Sequence, residues 1–178
     1  YSAWQADIHK TALHRSVIVA HGDRNKRIKT LATATEFVII NYDGVNVIAD
    51  KIVEANFDLI IIDEANGYKN VSTSRWKILN KILKPSTWLW MMTGTPASQS
   101  PEDAYGLARL ISPHRVPRTK TAWKESVMIQ VSKFKWIPRK DAKDRVYSAL
   151  QPAVRFAKRE CLDLPPLTYQ TRDIPLTP

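Results

Sequence analysis

Short apolar runs alternate with stretches of helical periodicity along the first 110 or so residues, the signature of an α/β architecture. The runs predict strands at 16–20, 37–40, 59–62 and 88–92, and a further one at 169–174. Leu59, Ile60, Ile61 and Ile62 form an unbroken apolar run, as in a strand covered on both faces of a parallel sheet. Helices are expected at about 3–14, 24–34, 45–55, 73–83, 102–111, 119–130 and 141–159. Asp23 is placed to cap the second of these and Ser72 or Thr73 the fourth, each offering a side-chain oxygen to the free N–H groups of the first turn. Pro101, Glu102 and Asp103 open the fifth, with proline in the first turn and acids toward the positive end of the helix dipole. Past Ile111 the pattern changes. Prolines at 113, 117 and 138 separate basic helical stretches and no buried-strand run is present. This part reads as a helical excursion from the sheet rather than a second domain.

Composition narrows the class. With 44% hydrophobic and 25% charged residues in 178, the chain has enough apolar surface for a core, which excludes wholesale disorder. No stretch approaches the roughly 18 apolar residues of a membrane helix, which excludes an integral helical membrane protein. The single Cys161 has no internal partner, and His9, His14, His21 and His114 lack metal-ligand spacing. A reducing, intracellular setting is expected. The chain starts at Tyr1 inside an amphipathic helix with no signal-peptide pattern, so we expect a piece of a longer protein.

Charge adds a partner. The net charge of +10 is concentrated in residues 113–159, which hold 13 basic and 3 acidic side chains; residues 1–112 hold 13 and 11, and 160–178 hold 1 and 3. Trp123, Phe134 and Trp136 are interleaved with the cations of this stretch. Two readings stay open: phosphate contacts with base stacking, or a solvated basic surface whose aromatics turn inward.

Two segments carry chemistry. In Phe57-Asp58-Leu59-Ile60-Ile61-Ile62-Asp63-Glu64-Ala65-Asn66 a parallel strand runs into two adjacent carboxylates, at the carboxyl edge where α/β sheets bind ligands. Nucleotide hydrolysis requires one carboxylate to hold Mg²⁺ through its water shell and another to orient and deprotonate water. Asp63 fits the first role and Glu64 the second. The second segment, Trp88–Met92 followed by Thr93-Gly94-Thr95-Pro96, ends a strand in a hydroxyl-rich turn. Such a turn can relay hydrogen bonds from a nucleotide site, although glycine and proline would equally explain a simple strand-to-helix turn. The pairing favours the relay: an acidic strand end, one helix, then a hydroxyl-rich strand end.

These residues together resemble the first RecA-like lobe of superfamily-two helicases, specifically the Swi/Snf-type DNA-dependent ATPases. Asp63-Glu64-Ala65-Asn66 is similar to the Asp-Glu-Ala-His box, and Lys69-Asn70 falls in register with the Swi/Snf continuation of that box. Thr93–Pro96 matches the Thr-Gly-Thr-Pro motif, and Ser98 through Asp103 resembles the Asn-x-x-x-Glu-Leu region after it. Ile39-Ile40-Asn41-Tyr42-Asp43 is similar to a DNA-contacting segment, and Trp4 resembles the tryptophan after the second helicase motif. Arg155-x-x-Lys158 with Leu164-Pro165-Pro166 resembles the element closing the first lobe.

The resemblance implies a RecA-like, P-loop NTPase-type fold: a mostly parallel sheet flanked by helices, with a basic helical protrusion. Residues 1–112 would be the core of the lobe, 113–159 the protrusion, and 160–178 the return and the start of a linker to a second RecA-like lobe. It implies ATP and Mg as cofactors and duplex DNA as partner. It makes Asp63 and Glu64 catalytic, with Asp63 toward Mg-ATP, and gives Asn66, Thr93, Gly94 and Thr95 a coupling role. Asn41, Tyr42 and Lys69 would face DNA, joined on the protrusion by Lys133, Lys135, Arg139 and Lys140. The motif style is closest to bacterial or bacteriophage members, which implies action in the cytoplasm of a bacterial or phage-infected cell.

The sequence departs from the family at three points. No Gly-x-x-x-x-Gly-Lys-Thr/Ser occurs among the five isolated glycines; in the family order this phosphate loop lies before Tyr1, and the second lobe after Pro178. Asn66 stands in place of histidine and Phe156 in place of a second arginine. Asparagine still forms hydrogen bonds, so altered coupling is expected rather than lost chemistry. By itself the 178-residue chain is expected not to hydrolyse ATP. The competing reading is a non-enzymatic nucleic-acid-binding module with a degenerate helicase fold. An RNA helicase fits less well, since Gly67–Asn70 and the basic stretch suit the Swi/Snf branch better.

Overall fold

In the computed structural model the described residues are 1–97, 99–156, 158–161 and 168–169. Helix α1 (Ser2–Thr11) leads into β1 (Val17–Val19), α2 (Arg24–Leu31), β2 (Phe37–Ile39), α3 (Tyr42–Val47), α4 (Ala49–Ala55) and β3 (Leu59–Ile62). A 3-10 turn (Ala65–Tyr68), α5 (Ser74–Ile82), β4 (Trp88–Met91), a second 3-10 turn (Pro101–Ala104) and α6 (Tyr105–Ile111) follow. The basic stretch comprises α7 (Lys120–Val127), β5 (Met128–Ser132), β6 (Lys135–Pro138) and α8 (Ala142–Ala149), and α9 (Lys158–Cys161) comes after it. The expected strand at 169–174 lies outside the described residues except for Tyr169, as does Leu164-Pro165-Pro166.

The α/β architecture is as expected, with the parallel strands in two separate pairs. Strand β1 runs parallel to β2, with Val17 opposite Phe37, and β3 runs parallel to β4, with Leu59 opposite Trp88 and Ile62 opposite Met91. Asp23 caps α2 by accepting from the Lys26 N–H (2.9 Å), Thr73 caps α5 through the Trp76 N–H (3.3 Å), and Ser100 and Asp103 form a reciprocal capping box at Pro101.

Three expectations change. First, β3 is not covered on both faces. Ile62 is buried and Ile60, Leu89 and Met91 are half-buried on the core side, while Ile61 is exposed and Trp88 and Trp90 are 72% and 57% exposed on the other. Among the described residues β3 and β4 pair only with each other, and no layer lies over the second face. Second, the helix expected at 45–55 starts earlier and is broken. Asn41 caps α3 by accepting from the Gly44 N–H (3.2 Å), and at Ile48 the backbone leaves helical values (φ −126°, ψ 29°) before α4 begins.

Third, the excursion is not wholly helical. The helix expected at 119–130 stops at Val127, and Met128–Ser132 pairs antiparallel with Lys135–Pro138, Ile129 lying opposite Ile137. β-Branched and aromatic residues at alternate positions suit a two-stranded ribbon. Its Lys133-Phe134 tip carries none of the glycine or asparagine that mark hairpins in a sequence, which is why periodicity alone extended the helix. The helix expected at 141–159 stops at Ala149, ahead of Pro152, whose ring disfavours helical backbone in the residue before it.

One core joins the lobe to the excursion. Ile62, Ala65, Tyr68, Leu79, Tyr105 and Leu107 pack in the same buried cluster as Trp123, Val127, Ala142 and Ala149. A smaller cluster, Ile48, Ile52 and Ile82, holds α4 against α5. At Gly106 a Cβ would stand 2.3 Å from the Lys69 carbonyl oxygen, so α6 packs backbone to backbone on the segment that leaves the Asp63-Glu64 corner. Only glycine permits that approach.

Candidate functional site

Asp63 and Glu64 follow the last residue of β3 and are exposed at its carboxyl edge. The β3–β4 ladder continues past the strand ends, the Met92 N–H donating to the Ile62 carbonyl (2.8 Å) and the Ala65 N–H to the Met92 carbonyl (2.9 Å). These bonds hold residues 63–65 beside the start of the Thr-Gly-Thr-Pro turn. Glu64 adopts left-handed backbone (φ 48°, ψ 52°), a conformation costing a non-glycine residue about 1–2 kcal/mol. The corner is thus a strained turn held by its neighbours, a pattern that clusters at functional sites.

Helices α1 and α3 each send a side-chain donor to the corner. Asp63 Oδ1 accepts from the Glu64 N–H (2.9 Å), and Asp63 Oδ2 accepts from Trp4 Nε1 on α1 (3.1 Å). The Tyr42 hydroxyl, at the start of α3, donates to the Asp63 carbonyl, with the Glu64 carbonyl 3.3 Å away. Beneath it the Arg75 guanidinium lies 4.7 Å from the Tyr42 ring centre and 3.7 Å from Asp43, and the Tyr68 ring tilts against Tyr42 at 5.6 Å. Burial, and next the Asp63 charge, push the Tyr42 hydroxyl above its ordinary pKa. Burial pushes Tyr68 up to about 12. Both phenols therefore stay protonated at neutral pH, so Tyr42 remains a donor to the corner.

Of the residues expected to couple, Asn66 and Thr93 meet directly. Thr93 Oγ1 donates to Asn66 Oδ1 (2.8 Å) and accepts from the Thr95 N–H (3.3 Å). A short side-chain bridge thus runs from the acidic corner to the hydroxyl turn, in which Gly94 and Thr95 are exposed.

The residues expected to face DNA fall into separate groups. Asn41 Oδ1, besides capping α3, accepts from Arg27 Nη1 (3.1 Å), and the buried Arg27 also donates to the Ala20 and Gly22 carbonyls. Asn41 therefore helps to join the ends of β1 and β2. Tyr42 points at the corner, as described, and Lys69 is half-buried just past the 3-10 turn. Lys133, Lys135, Arg139 and Lys140 are all exposed on or beside the β5–β6 hairpin.

Sequence reasoning missed Arg27 and Arg75. Arg75 had a signal: it lies in the first turn of α5, where a cation opposes the helix dipole. Such a placement points to a tertiary partner. Arg27 had none, because its partners lie at residues 20, 22 and 41.

For a metal, the described residues contain no cluster of three or more His, Cys, Asp or Glu side chains. The donor set fits a hydrated Mg²⁺ instead, which needs one or two carboxylates and otherwise takes water and phosphate oxygens. Asp63 is exposed and each of its oxygens, already accepting one hydrogen bond, keeps a lone pair for a metal-bound water.

The chain is 39% identical over 69 residues to the SWI/SNF-related matrix-associated actin-dependent regulator of chromatin subfamily A-like protein 1 of Xenopus laevis, covering 39% of this chain and 7% of that protein. It is 23% identical over 159 residues to a probable ATP-dependent helicase of Plasmodium falciparum, covering 85% of this chain and 8% of that one. Among solved structures, the Sulfolobus solfataricus SWI2/SNF2 ATPase core in complex with dsDNA shares the fold, with a TM-score of 0.66 at 23% identity over 92% of this chain and 34% of that chain. The chain thus spans less than a tenth of the length of these curated relatives. The model of the SNF2-related domain matches residues 1–178. With that match over every residue, and an acidic strand end bridged to a Thr-Gly-Thr-Pro turn, the chain belongs to the SNF2-related domain family.

Proposed function

We propose that residues 1–178 form part of the first lobe of an ATP-driven motor that moves along double-stranded DNA. The observation that supports this is the pair of exposed carboxylates, Asp63 and Glu64, at a strand end next to the Thr93–Asn66 hydrogen bond, since carboxylates add nothing to a surface that only binds phosphates. In this reading Asp63 holds the water shell of Mg²⁺ bound to ATP, and its carboxylate is kept in place by the Trp4 and Glu64 N–H groups. The metal, when bound, neutralises charge on the phosphates. Glu64 orients the attacking water and takes its proton. Asn66 and Thr93 pass the state of that corner to the Thr93–Pro96 turn, and through it to a second RecA-like lobe. Lys133, Lys135, Arg139 and Lys140 contact the phosphate backbone without reading sequence, with Lys69 on the lobe itself. The motif style supports a cytoplasmic site of action in a bacterial or phage-infected cell.

The phosphate loop supplies most of the affinity for a nucleoside triphosphate through backbone N–H groups and a lysine. Residues 1–178 contain no such loop, so by themselves they do not turn over ATP in our reading. The deciding experiment measures DNA-stimulated ATP hydrolysis by the full-length protein that contains these residues. Hydrolysis stimulated by duplex DNA and lost in Glu64→Gln is the expected result. Duplex binding without any hydrolysis would instead establish the non-enzymatic module.

A further inference from the structure

The β5–β6 hairpin is anchored on one side only. Met128 is buried in the core, and the half-buried Trp136 packs against Lys124, whose Nζ lies 4.7 Å from its ring centre. The intervening positions face away. Ile129 and Ile137, opposite one another across the ladder, are exposed together with Val131, and at the tip Phe134 is 89% exposed. Lys133 and Lys135 flank Phe134 at the tip, with Lys133 Nζ 5.5 Å from its ring centre. Arg139 and Lys140 lie at the base, where Arg139 Nε donates to the Glu125 carbonyl (3.0 Å). None of the four forms a salt bridge among the described residues.

An aromatic ring held in water at a two-residue tip and flanked by the exposed Lys133 and Lys135 is complementary to an anionic polymer that offers flat apolar faces. Nucleic acid is that polymer: phosphates meet the lysines and a base meets the ring. The base must have a free face, and in continuous duplex the bases already stack on each other. A free face occurs where stacking is interrupted, at a fork, a gap or a kinked step into which an apolar side chain wedges.

We infer that Phe134 is a base-stacking wedge that directs the protein to junctions between duplex and single-stranded DNA, with Lys133 and Lys135 gripping the phosphates on either side. The inference rests on the DNA-binding reading above and adds a substrate class to it. Phe134 is outside the core, so replacing it leaves the fold intact.

The test titrates the full-length protein, without nucleotide, against two duplexes of equal length. One is closed at both ends by loops held in a biotin–streptavidin block, and the other carries a fork with 2-aminopurine at the junction. The wild type is expected to favour the fork and to change the 2-aminopurine emission. Phe134→Ala lowers the ratio of fork to closed-duplex affinity by about tenfold, in line with loss of one base–aromatic stack, and removes the emission change. Phe134→Trp restores both, and Lys133→Glu with Lys135→Glu weakens both duplexes and flattens the salt dependence. An unchanged ratio and emission in Phe134→Ala would overturn the wedge, as would loss of binding to vesicles containing anionic lipid with no change on DNA. If the wild type bound neither duplex, the DNA-binding reading itself would fail, an outcome distinct from a failed wedge.

Discussion

The corner at Asp63-Glu64 and the hairpin at Lys133-Phe134 deploy their polar groups in opposite ways. At the corner, donors from α1, α3 and the β4 turn converge on the protein's own atoms: Trp4 on the Asp63 carboxylate, Tyr42 on the Asp63 carbonyl, Thr93 on Asn66. On the hairpin Lys133 and Lys135 are exposed without a carboxylate partner among the described residues, the Lys133 ammonium lying 5.5 Å from the ring centre of the exposed Phe134. Only Arg139, at the base, holds a backbone carbonyl, that of Glu125. Chemistry at a phosphate needs groups fixed in position before the substrate arrives, whereas tracking a polymer of uniform charge needs cations that remain unpaired and adaptable. In the proposed function, that difference in how the side chains are held separates a reaction centre from a contact surface.

The comparison breaks first at Glu64. In the full-length protein Glu64→Gln should lower DNA-stimulated ATP hydrolysis by about 10²–10⁴-fold, the usual contribution of a positioned general base, with nucleotide affinity nearly retained; Asp63→Ala should weaken Mg-ATP binding itself. Steady-state turnover and equilibrium nucleotide titration separate the two. Wild-type turnover in Glu64→Gln would remove the corner from the chemistry.

On the contact surface, reversing Lys133, Lys135, Arg139 and Lys140 together should weaken duplex binding and make its salt dependence shallower. If about four to six cations touch phosphates at once, the wild-type slope of log K against log salt is roughly −4 to −5. A fluorescent duplex titrated at several salt concentrations reads both quantities. An unchanged slope would return these residues to an ordinary solvated surface.

Stability sharpens the contrast. Gly106→Ala forces a Cβ against the Lys69 carbonyl, 2.3 Å away, and should destabilise the fold by about 1–3 kcal/mol. Lys133→Ala on the hairpin should stay within about 0.5 kcal/mol of wild type. Chemical denaturation of both variants measures the gap between the regions. Within the corner, Thr93→Val removes one hydrogen bond, about 1 kcal/mol, and should reduce the stimulation of hydrolysis by DNA more than the basal rate.

The smallest effect concerns pH and is absent at neutrality. The Tyr68 pKa is raised by burial to about 12, so folding favours the neutral phenol. That contribution is present in full below the ordinary tyrosine pKa near 10 and is lost as the pH rises through about 12. Tyr68→Phe should therefore show a weaker loss of stability between pH 10 and 12 than wild type, as followed by denaturant titration.

Local pattern was enough for much of this molecule. The cap at Asp23, a cap at Ser72 or Thr73, the helix start at Pro101, the strand runs at 59–62 and 88–92 and the acidic strand end were all legible, because each depends on residues a few positions apart. The hairpin was not. Its strands are short, its tip lacks turn residues, and the helix before it ends where Met128 enters the core.

The sequence by itself determined the α/β class, the place of Asp63, Glu64, Asn66 and Thr93 at strand ends, and the crowding of positive charge into 113–159. These follow from the periodicity of neighbouring residues and from composition. Only the tertiary structure decided which groups hold the corner and which stay open. Trp4 reaches Asp63 across 59 positions, Thr93 reaches Asn66 across 27 and Tyr42 reaches Asp63 across 21. Contacts at such separations are selected by the packing of whole elements, α6 against the Lys69 segment and α3 against the corner, and that packing leaves no periodic trace in the chain.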